Sequence, residues 1–202
     1  IPGTFTVSFT VTDALGLADP TSATCTVMVQ SGMVPDWTGV AYSPFNLVTP
    51  TVVTNPVLKA SNITGVSARF VADTFLFYES NTWYMFTEIL NNGTNQGDLT
   101  VATTPDGLHW NHQQIVLNET WHLSYPYVFK YNGMYYMIPE TYQINEIRLY
   151  KATNFPTTWS YVATLVSGRD FLDSSIFRYN GKWWMFTSDT TNSNCYLYYS
   201  DN

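Results

Sequence analysis

The sequence predicts an all-β chain in which about three four-stranded propeller blades follow a lone two-stranded hairpin. A unit of about fifty residues recurs, with residue 125 standing 52 positions after residue 73 and residue 173 standing 48 after residue 125. Within each unit, strand-length runs of alternating apolar residues are separated by turn signals. Aromatic residues make up 17% of the chain and charged ones 11%. An ordinary globular domain is about 25% charged, and bulky ring side chains favour strands over amphipathic helices.

The first alternation covers residues 3–13, Gly3-Thr4-Phe5-Thr6-Val7-Ser8-Phe9-Thr10-Val11-Thr12-Asp13, and a second covers Ala23 to Val29 after a break at residues 14–20. The pair reads as a β-hairpin with a loop, and two strands alone make no stable sheet, so the hairpin has to dock on something. Gln30-Ser31-Gly32 reads as a linker, which places a first domain at residues 1–32 and a second at 33–202. Residues 35–67 are rich in Pro, Thr, Val and Asn with little periodicity, and are expected to form extended connections and one or two outer strands.

The three repeats lie near residues 70–117, 122–166 and 170–202. The first opens with Asp73-Thr74-Phe75-Leu76-Phe77-Tyr78 and continues with Trp83-Tyr84-Met85-Phe86-Thr87-Glu88. The second opens with Tyr125-Pro126-Tyr127-Val128-Phe129-Lys130 and continues with Tyr135-Tyr136-Met137-Ile138-Pro139-Glu140. The third opens with Asp173-Ser174-Ser175-Ile176-Phe177-Arg178 and continues with Trp183-Trp184-Met185-Phe186-Thr187-Ser188. Asn132-Gly133 and Asn180-Gly181 separate the two runs in the later copies, and Asn-Gly between apolar runs is the strongest short hairpin signal. Third strands follow at Leu99, Ile147 and Tyr196, and Trp-led fourth strands at Trp110 and Trp159. Four strands per unit make a propeller blade. The third unit reaches Asn202 before a fourth strand, so the expectation is an incomplete propeller whose open edges are completed by further chain or by a neighbour.

Beyond the repeat itself, Asn55-Pro56-Val57-Leu58, Phe70-Val71-Ala72-Asp73, Asn95-Gln96-Gly97-Asp98, His122-Leu123-Ser124-Tyr125-Pro126, Met137-Ile138-Pro139-Glu140 and Ile147-Arg148-Leu149-Tyr150 stand in a telling order. Together they resemble the five-bladed propellers related to the arabinanase and β-xylosidase type of glycoside hydrolase. Within that group they are most similar to the N-terminal domain of plant glucosamine inositolphosphorylceramide transferases. Residues 1–30 resemble the last two strands of a PKD-type immunoglobulin-like sandwich. These resemblances imply a partial five-bladed β-propeller preceded by the closing hairpin of such a sandwich.

The innermost strand of each propeller blade lines the axis, so the residues at its entry, Asp73, Tyr125 and Asp173, are expected to converge on one mouth of the channel. The resemblance implies a general base on the first blade, a pKa-tuning carboxylate on the second and an acid on the third. Asp73 matches the base. Thr74 replaces the usual Pro, Tyr125 stands where Asp is expected, and Asp173 takes the place of Glu. Glycoside hydrolysis needs two carboxyl groups, about 5–5.5 Å apart when it retains configuration and about 6.5–9.5 Å apart when it inverts. The catalytic candidates are therefore Asp73 with Asp173 or Glu140. Glu88 and Glu140 end the second strands of their blades, with Asp189 nearly equivalent in the third, and pairing with Arg69, Arg148 or Arg178 is the competing structural role. Glu88, His122, Tyr125, Arg148 and Trp121 are the expected ligand-binding residues. Trp121, Tyr125 and Tyr142 are candidate platforms for the apolar face of a pyranose. His109, in the Pro105-Asp106-Gly107 turn, reads as scaffold.

A net charge of −7 argues against nucleic acid or an anionic membrane as partner and leaves a neutral carbohydrate as the better fit. No apolar run approaches the roughly 20 residues of a membrane helix, and residues 1–4 lack the features of a signal peptide. Nothing in the sequence calls for a cofactor, and no Cys/His spacing suits a metal. Sequons at Asn62, Asn92 and Asn118 are candidate glycosylation sites for a chain that passes through a eukaryotic secretory pathway, and an extracellular or cell-surface location is expected. Cys25, alternating with Thr24 and Thr26, reads as a buried thiol in preference to a bridge with Cys195. Three functions remain open: a glycoside-hydrolase-like enzyme, a non-catalytic glycan-binding module, and a structural subunit that self-assembles through its open β edges into a filament.

Overall fold

A computed structural model of the chain describes residues 50–202 in full and residues 3–9 and 23–29 as backbone strands. The chain divides into two compact units, Ile1–Val48 and Thr49–Asn202. In the first, β1 (Gly3–Phe9) pairs antiparallel with β2 (Ala23–Val29), Gly3 facing Val29 and Phe9 facing Ala23, which is the expected hairpin. Its loop, the expected 32/33 boundary and the surroundings of Cys25 lie outside the described residues. Cys195 is an exposed free thiol.

The second unit contains three antiparallel sheets built on the repeat. The first blade runs in strand order through β3 (Ala68–Glu79), β4 (Thr82–Asn91), β5 (Gln96–Thr104) and β6 (Asn111–Leu117). The second contains β7 (Ser124–Tyr131), β8 (Met134–Glu140), β9 (Glu146–Asn154) and β10 (Thr158–Ser167). The third contains β11 (Phe171–Tyr179), β12 (Lys182–Asp189) and β13 (Cys195–Ser200). No described residue among 50–67 is a strand; Ala60–Asn62 instead makes a single 3-10 turn, so the outer strands expected there are not formed by the described part of that segment.

Both Asn-Gly pairs adopt positive φ at each residue, 48° and 75° at Asn132-Gly133 and 50° and 78° at Asn180-Gly181. That geometry matches the right-handed twist of the flanking strands. The first blade makes the same turn with Ser80-Asn81, at 50° and 60°.

Packing between blades supplies the core. Phe86, Leu99 and Val101 of the first blade meet Leu123, Met137, Tyr150 and Trp159 of the second, all fully or nearly buried. Ile138 and Ile147 meet Phe171 and Met185 across the next interface. Burial of each such side chain contributes about 1.5–3 kcal/mol. The turn before β10 locks the first interface, because Phe155 sits in a ring socket. Its centroid lies 5.7 Å from Phe77, 4.9 Å from Tyr84 and 3.9 Å from Tyr135, the last pair stacked. Two fourth strands begin alike: the indole N–H of Trp110 donates to the Gly107 carbonyl at 3.2 Å, and that of Trp159 to the Pro156 carbonyl at 2.8 Å.

Candidate functional site: a carboxylate-bearing mouth

Each inner strand is interrupted by a bulge at its entry, where ladder pairing skips from Ala72 to Phe75, from Ser124 to Tyr127 and from Leu172 to Ser175. The residue at the bulge is Asp73, Tyr125 or Asp173, with φ of 51°, 47° and 52°. Left-handed backbone at a residue other than glycine costs about 1–2 kcal/mol, and its recurrence at three equivalent positions marks a built feature. The bend re-aims these side chains. Hydroxyls brace it in two blades: Thr87 donates to the Ala72 carbonyl, and Thr187 to the Leu172 carbonyl at 2.8 Å.

Hydrogen bonds join the three bulges across blades. Asp73 Oδ2 accepts the Tyr125 backbone N–H at 3.2 Å. Glu140 Oε2 accepts the Asp173 backbone N–H at 3.2 Å, while its Oε1 accepts the Ser124 hydroxyl at 2.7 Å. The Tyr125 hydroxyl reaches Ser175 Oγ at 3.2 Å, and its ring meets Phe75 edge-on at 4.7 Å, so this side chain links the second blade to both neighbours. Asp73 and Asp173 are exposed, and Tyr125 and Glu140 are half-buried.

Burial pushes the Glu140 carboxyl up, and the Asp173 charge adds to this, while the bonds from Ser124 and Asp173 N–H and the nearby His122 pull it down; the net shift is upward. Asp173 is also raised, first by burial and then by the charge of Asp73. The Asp73 carboxylate is therefore close enough for its charge to act on Asp173.

Below the mouth, Glu88 is 5% exposed and faces His122 Nε2 at 3.2 Å. His122 Nδ1 accepts the Gly97 N–H at 3.0 Å, which places the ring proton on Nε2, toward Glu88. The bond to Glu88 pulls the His122 pKa up against the effect of burial, with Glu140 and Asp73 adding to the rise. Gly97 is required here. A Cβ would lie 2.1 Å from the Leu123 carbonyl oxygen and 2.9 Å from both Glu88 Oε1 and His122 Cε1.

Asp73, Tyr125, Asp173 and Glu140 are thus brought together at the mouth, with Glu88 and His122 as a linked pair below. Neither Glu88 nor Glu140 pairs with an arginine: Arg69 bonds Asn92, Arg148 bonds Glu146 and Arg178 bonds Tyr131. Among the described residues, no hydrogen bond, ion pair or ring contact joins Trp121 or Arg148 to Asp73, Glu140 or Asp173. The Arg148 guanidinium lies between the Trp121 and Tyr161 rings, 4.9 Å from each centroid, and the Trp121 indole N–H is buried without a partner. Asp189 does not repeat Glu88 and Glu140, because Ser188 faces Leu172 at that register position. Asp189 instead organises the following loop, accepting from Thr191 at 2.6 Å and Asn194 at 2.8 Å. Ser124, Ser175 and Gly97 also belong to the site, although the motifs that contain them in the sequence assign none of them a role there.

The three sequon asparagines are exposed but held differently. Asn62 uses only its Oδ1, accepting from the Lys59 N–H. Asn92 Nδ2 donates to Ser67 Oγ, and Asn118 Nδ2 donates to the buried Asp98 at 2.6 Å. His109 is confirmed in its turn, bonding Asp106 through both backbone and ring. No helix among the described residues is long and apolar enough to cross a membrane.

Solved structures similar to this chain include glycoside-hydrolase propellers. The catalytic domain of Coprinopsis cinerea GH62 α-L-arabinofuranosidase superposes with a TM-score of 0.57 at 14% identity, covering 72% of this chain and 50% of that one. A glycosyl hydrolase from Bacteroides ovatus gives 0.60 at 14% identity, covering 76% and 55%. The exo-β-1,3-galactanase of Phanerochaete chrysosporium gives 0.57 at 11%, covering 69% and 36%. At these identities the likeness shows the fold, a partial five-bladed β-propeller. Glucosamine inositolphosphorylceramide transferase 1 of Oryza sativa subsp. indica is 44% identical over 142 residues, covering 69% of this chain and 19% of that protein. Its namesake in Arabidopsis thaliana is 40% identical over 142 residues, covering 69% and 18%. The chain thus spans about a fifth of the length of these curated relatives. Residues 46–200 match the family described as glucosamine inositolphosphorylceramide transferase 1, N-terminal, and the chain belongs to that family.

Proposed function

We propose that the mouth formed by Asp73, Tyr125 and Asp173 binds a neutral glycan. The observation that carries this reading is the recurrence of a left-handed bulge residue at the entry of all three inner strands. It presents two carboxyl groups on either side of one aromatic ring. Carboxylates accept hydrogen bonds from sugar hydroxyls, and the ring offers a face to a pyranose. Relatives and fold neighbours named for carbohydrate chemistry support the same reading. In the longer relatives, named as transferases, a segment of this kind would recognise a sugar-bearing substrate. An extracellular or cell-surface setting and glycans on Asn62, Asn92 or Asn118 belong to the same proposal.

Hydrolysis is the second reading, favoured by the coupling of Asp173 to Asp73. A carboxyl with a raised pKa beside a second carboxyl is an arrangement from which acid and base roles can separate. Against it, both oxygens of Glu140 are committed to Ser124 and Asp173, which suits positioning more than proton transfer.

Calorimetry with β-1,3-galactotriose, arabino-oligosaccharides and xyloglucan oligosaccharides tests the proposal. Tyr125→Ala and Asp173→Asn should each weaken binding about tenfold, or about 1.4 kcal/mol. Binding that survives both changes would place the glycan elsewhere. Release of reducing sugar that disappears in Asp73→Asn would establish the hydrolytic reading.

A further inference from the structure

We propose that His122 is a pH-operated latch on the second blade: as a neutral ring it ties the chain leading into Tyr125 to β5, and on gaining a proton it releases that tie. His122 stands three residues before the bulge at Tyr125. Its Nδ1 accepts the Gly97 N–H at 3.0 Å, and the next residue, Leu123, donates its own N–H to the Gly97 carbonyl at 3.0 Å. The backbone N–H of His122 donates to Gln143 Oε1 at 2.9 Å. Ser124 and Tyr125 continue the series, bonded to Glu140 and Asp73. Four consecutive residues are thus tied down, and the imidazole is the one group among these ties whose ordinary pKa, about 6.5, lies near neutral.

The two ring nitrogens make opposite demands. Nε2 faces Glu88 Oε1 at 3.2 Å and needs a proton there. Nδ1 must be bare to accept from Gly97, because a protonated imidazole has two donors and no acceptor. The neutral ring satisfies both. The charged ring keeps the Glu88 contact but turns a second N–H against the Gly97 N–H, so protonation and the Gly97 bond exclude each other. The charged groups that act on the ring are carboxyls: Glu88 on β4, Glu140 on β8 and Asp73 on β3. The Tyr142 ring, in the turn after β8, packs against it at 5.9 Å. Asp98, next to Gly97 on β5, is held by the Asn91 and Asn118 amides at 2.8 and 2.6 Å. The bond to Glu88 is the first cause that draws the His122 pKa up, against burial, and the three carboxyl charges add to the rise. As pH falls, the folded protein therefore charges His122 before an unfolded chain does, and the latch opens within the folded state.

The effect of the latch on binding rests on the glycan reading of the mouth; the latch itself does not. Ring-nitrogen and amide NMR of the whole chain from pH 9 to 5, without ligand, tests it. His122 should begin as the Nε2–H tautomer and end with both nitrogens protonated, and the Gly97 and Tyr125 amide signals should move with the same midpoint. In His122→Asn, made in a bacterial host so that the new Asn-Leu-Ser triplet stays unmodified, the side-chain oxygen replaces Nδ1 as acceptor and does not titrate. Movement of both amides at that midpoint should then disappear. A ring that stays neutral throughout, a Gly97 or Tyr125 amide that does not follow the ring, or amides that titrate alike in His122→Asn would each overturn the proposal. With β-1,3-galactotriose as probe, affinity should fall about fivefold from pH 8 to 6, the worth of one hydrogen bond, and an equal fall in His122→Asn would overturn the link between latch and mouth. Failure of the sugar to bind at either pH would count against the glycan reading alone, because the ligand-free titration judges the latch.

Discussion

The carboxylate of Asp73 accepts the backbone N–H of Tyr125 at 3.2 Å, so the mouth residue of one blade is held by the mouth residue of the blade before it. Asp73→Asn retains an oxygen acceptor and should preserve this contact. Asp73→Ala should lose about 1 kcal/mol of stability, a modest figure because the group is exposed. Urea unfolding of the two variants separates the roles, with a loss in alanine and little change in asparagine.

Asp73 also acts on Asp173 through charge. Burial is the first cause of the raised Asp173 pKa and the Asp73 charge the second, so neutralising Asp73 removes only part of the rise. Carbon-detected NMR titration of Asp173 should therefore show a lower pKa in Asp73→Asn than in the unaltered protein. An unchanged value would mean that the two carboxyls are not coupled.

Gly97→Ala should lose about 2–3 kcal/mol, at the upper end of overpacking effects, because the obstacle at 2.1 Å is a backbone carbonyl that cannot rotate away. The change should also break the Gly97 N–H bond to His122, visible as a shift of the His122 ring signals.

His112 provides a pH dependence of known sign. Its Nδ1 accepts the Thr64 N–H at 3.2 Å and the Thr64 hydroxyl at 3.0 Å, while Nε2 meets Thr100 Oγ1 at 2.6 Å. Burial lowers its pKa, so the unfolded chain takes up the proton first. The contribution is intact above the unfolded value near 6.5 and is lost as pH falls toward the depressed folded value. Unfolding of His112→Gln between pH 8 and 5 should lack this part of the slope.

Phe155→Ala should lose about 3 kcal/mol, since it empties a socket of three rings and removes the contact with Trp159. Differential scanning calorimetry should show a lower melting temperature, with the β-sheet circular dichroism of the folded state retained.

The sequence made the blades legible because a repeat writes the same pattern of strands three times over, and Asn132-Gly133 and Asn180-Gly181 carry their turn chemistry locally. The mouth trio was also readable, since Asp73, Tyr125 and Asp173 occupy one repeat position. What escaped depends on neighbours distant in the chain. Gly97 is fixed by a carbonyl 26 residues away, and Ser124 matters through Glu140. Asp189 stands one residue past the repeat position of Glu140, and the ladder keeps Ser188 in that position. Trp121 and Arg148 drew notice as residue types suited to sugars, but each already has the other as its partner.

The backbone N–H contacts between bulges run one way: Asp73 accepts one from the second blade, and Glu140 accepts one from the third. Backbone support at the mouth is thus handed along the chain from the N-terminal side. Damage should travel in the same sense. A lesion at Asp73 unseats Tyr125, whereas one at Asp173 leaves every earlier blade with its acceptor still in place, giving the arc a polarity that its near-identical repeats conceal.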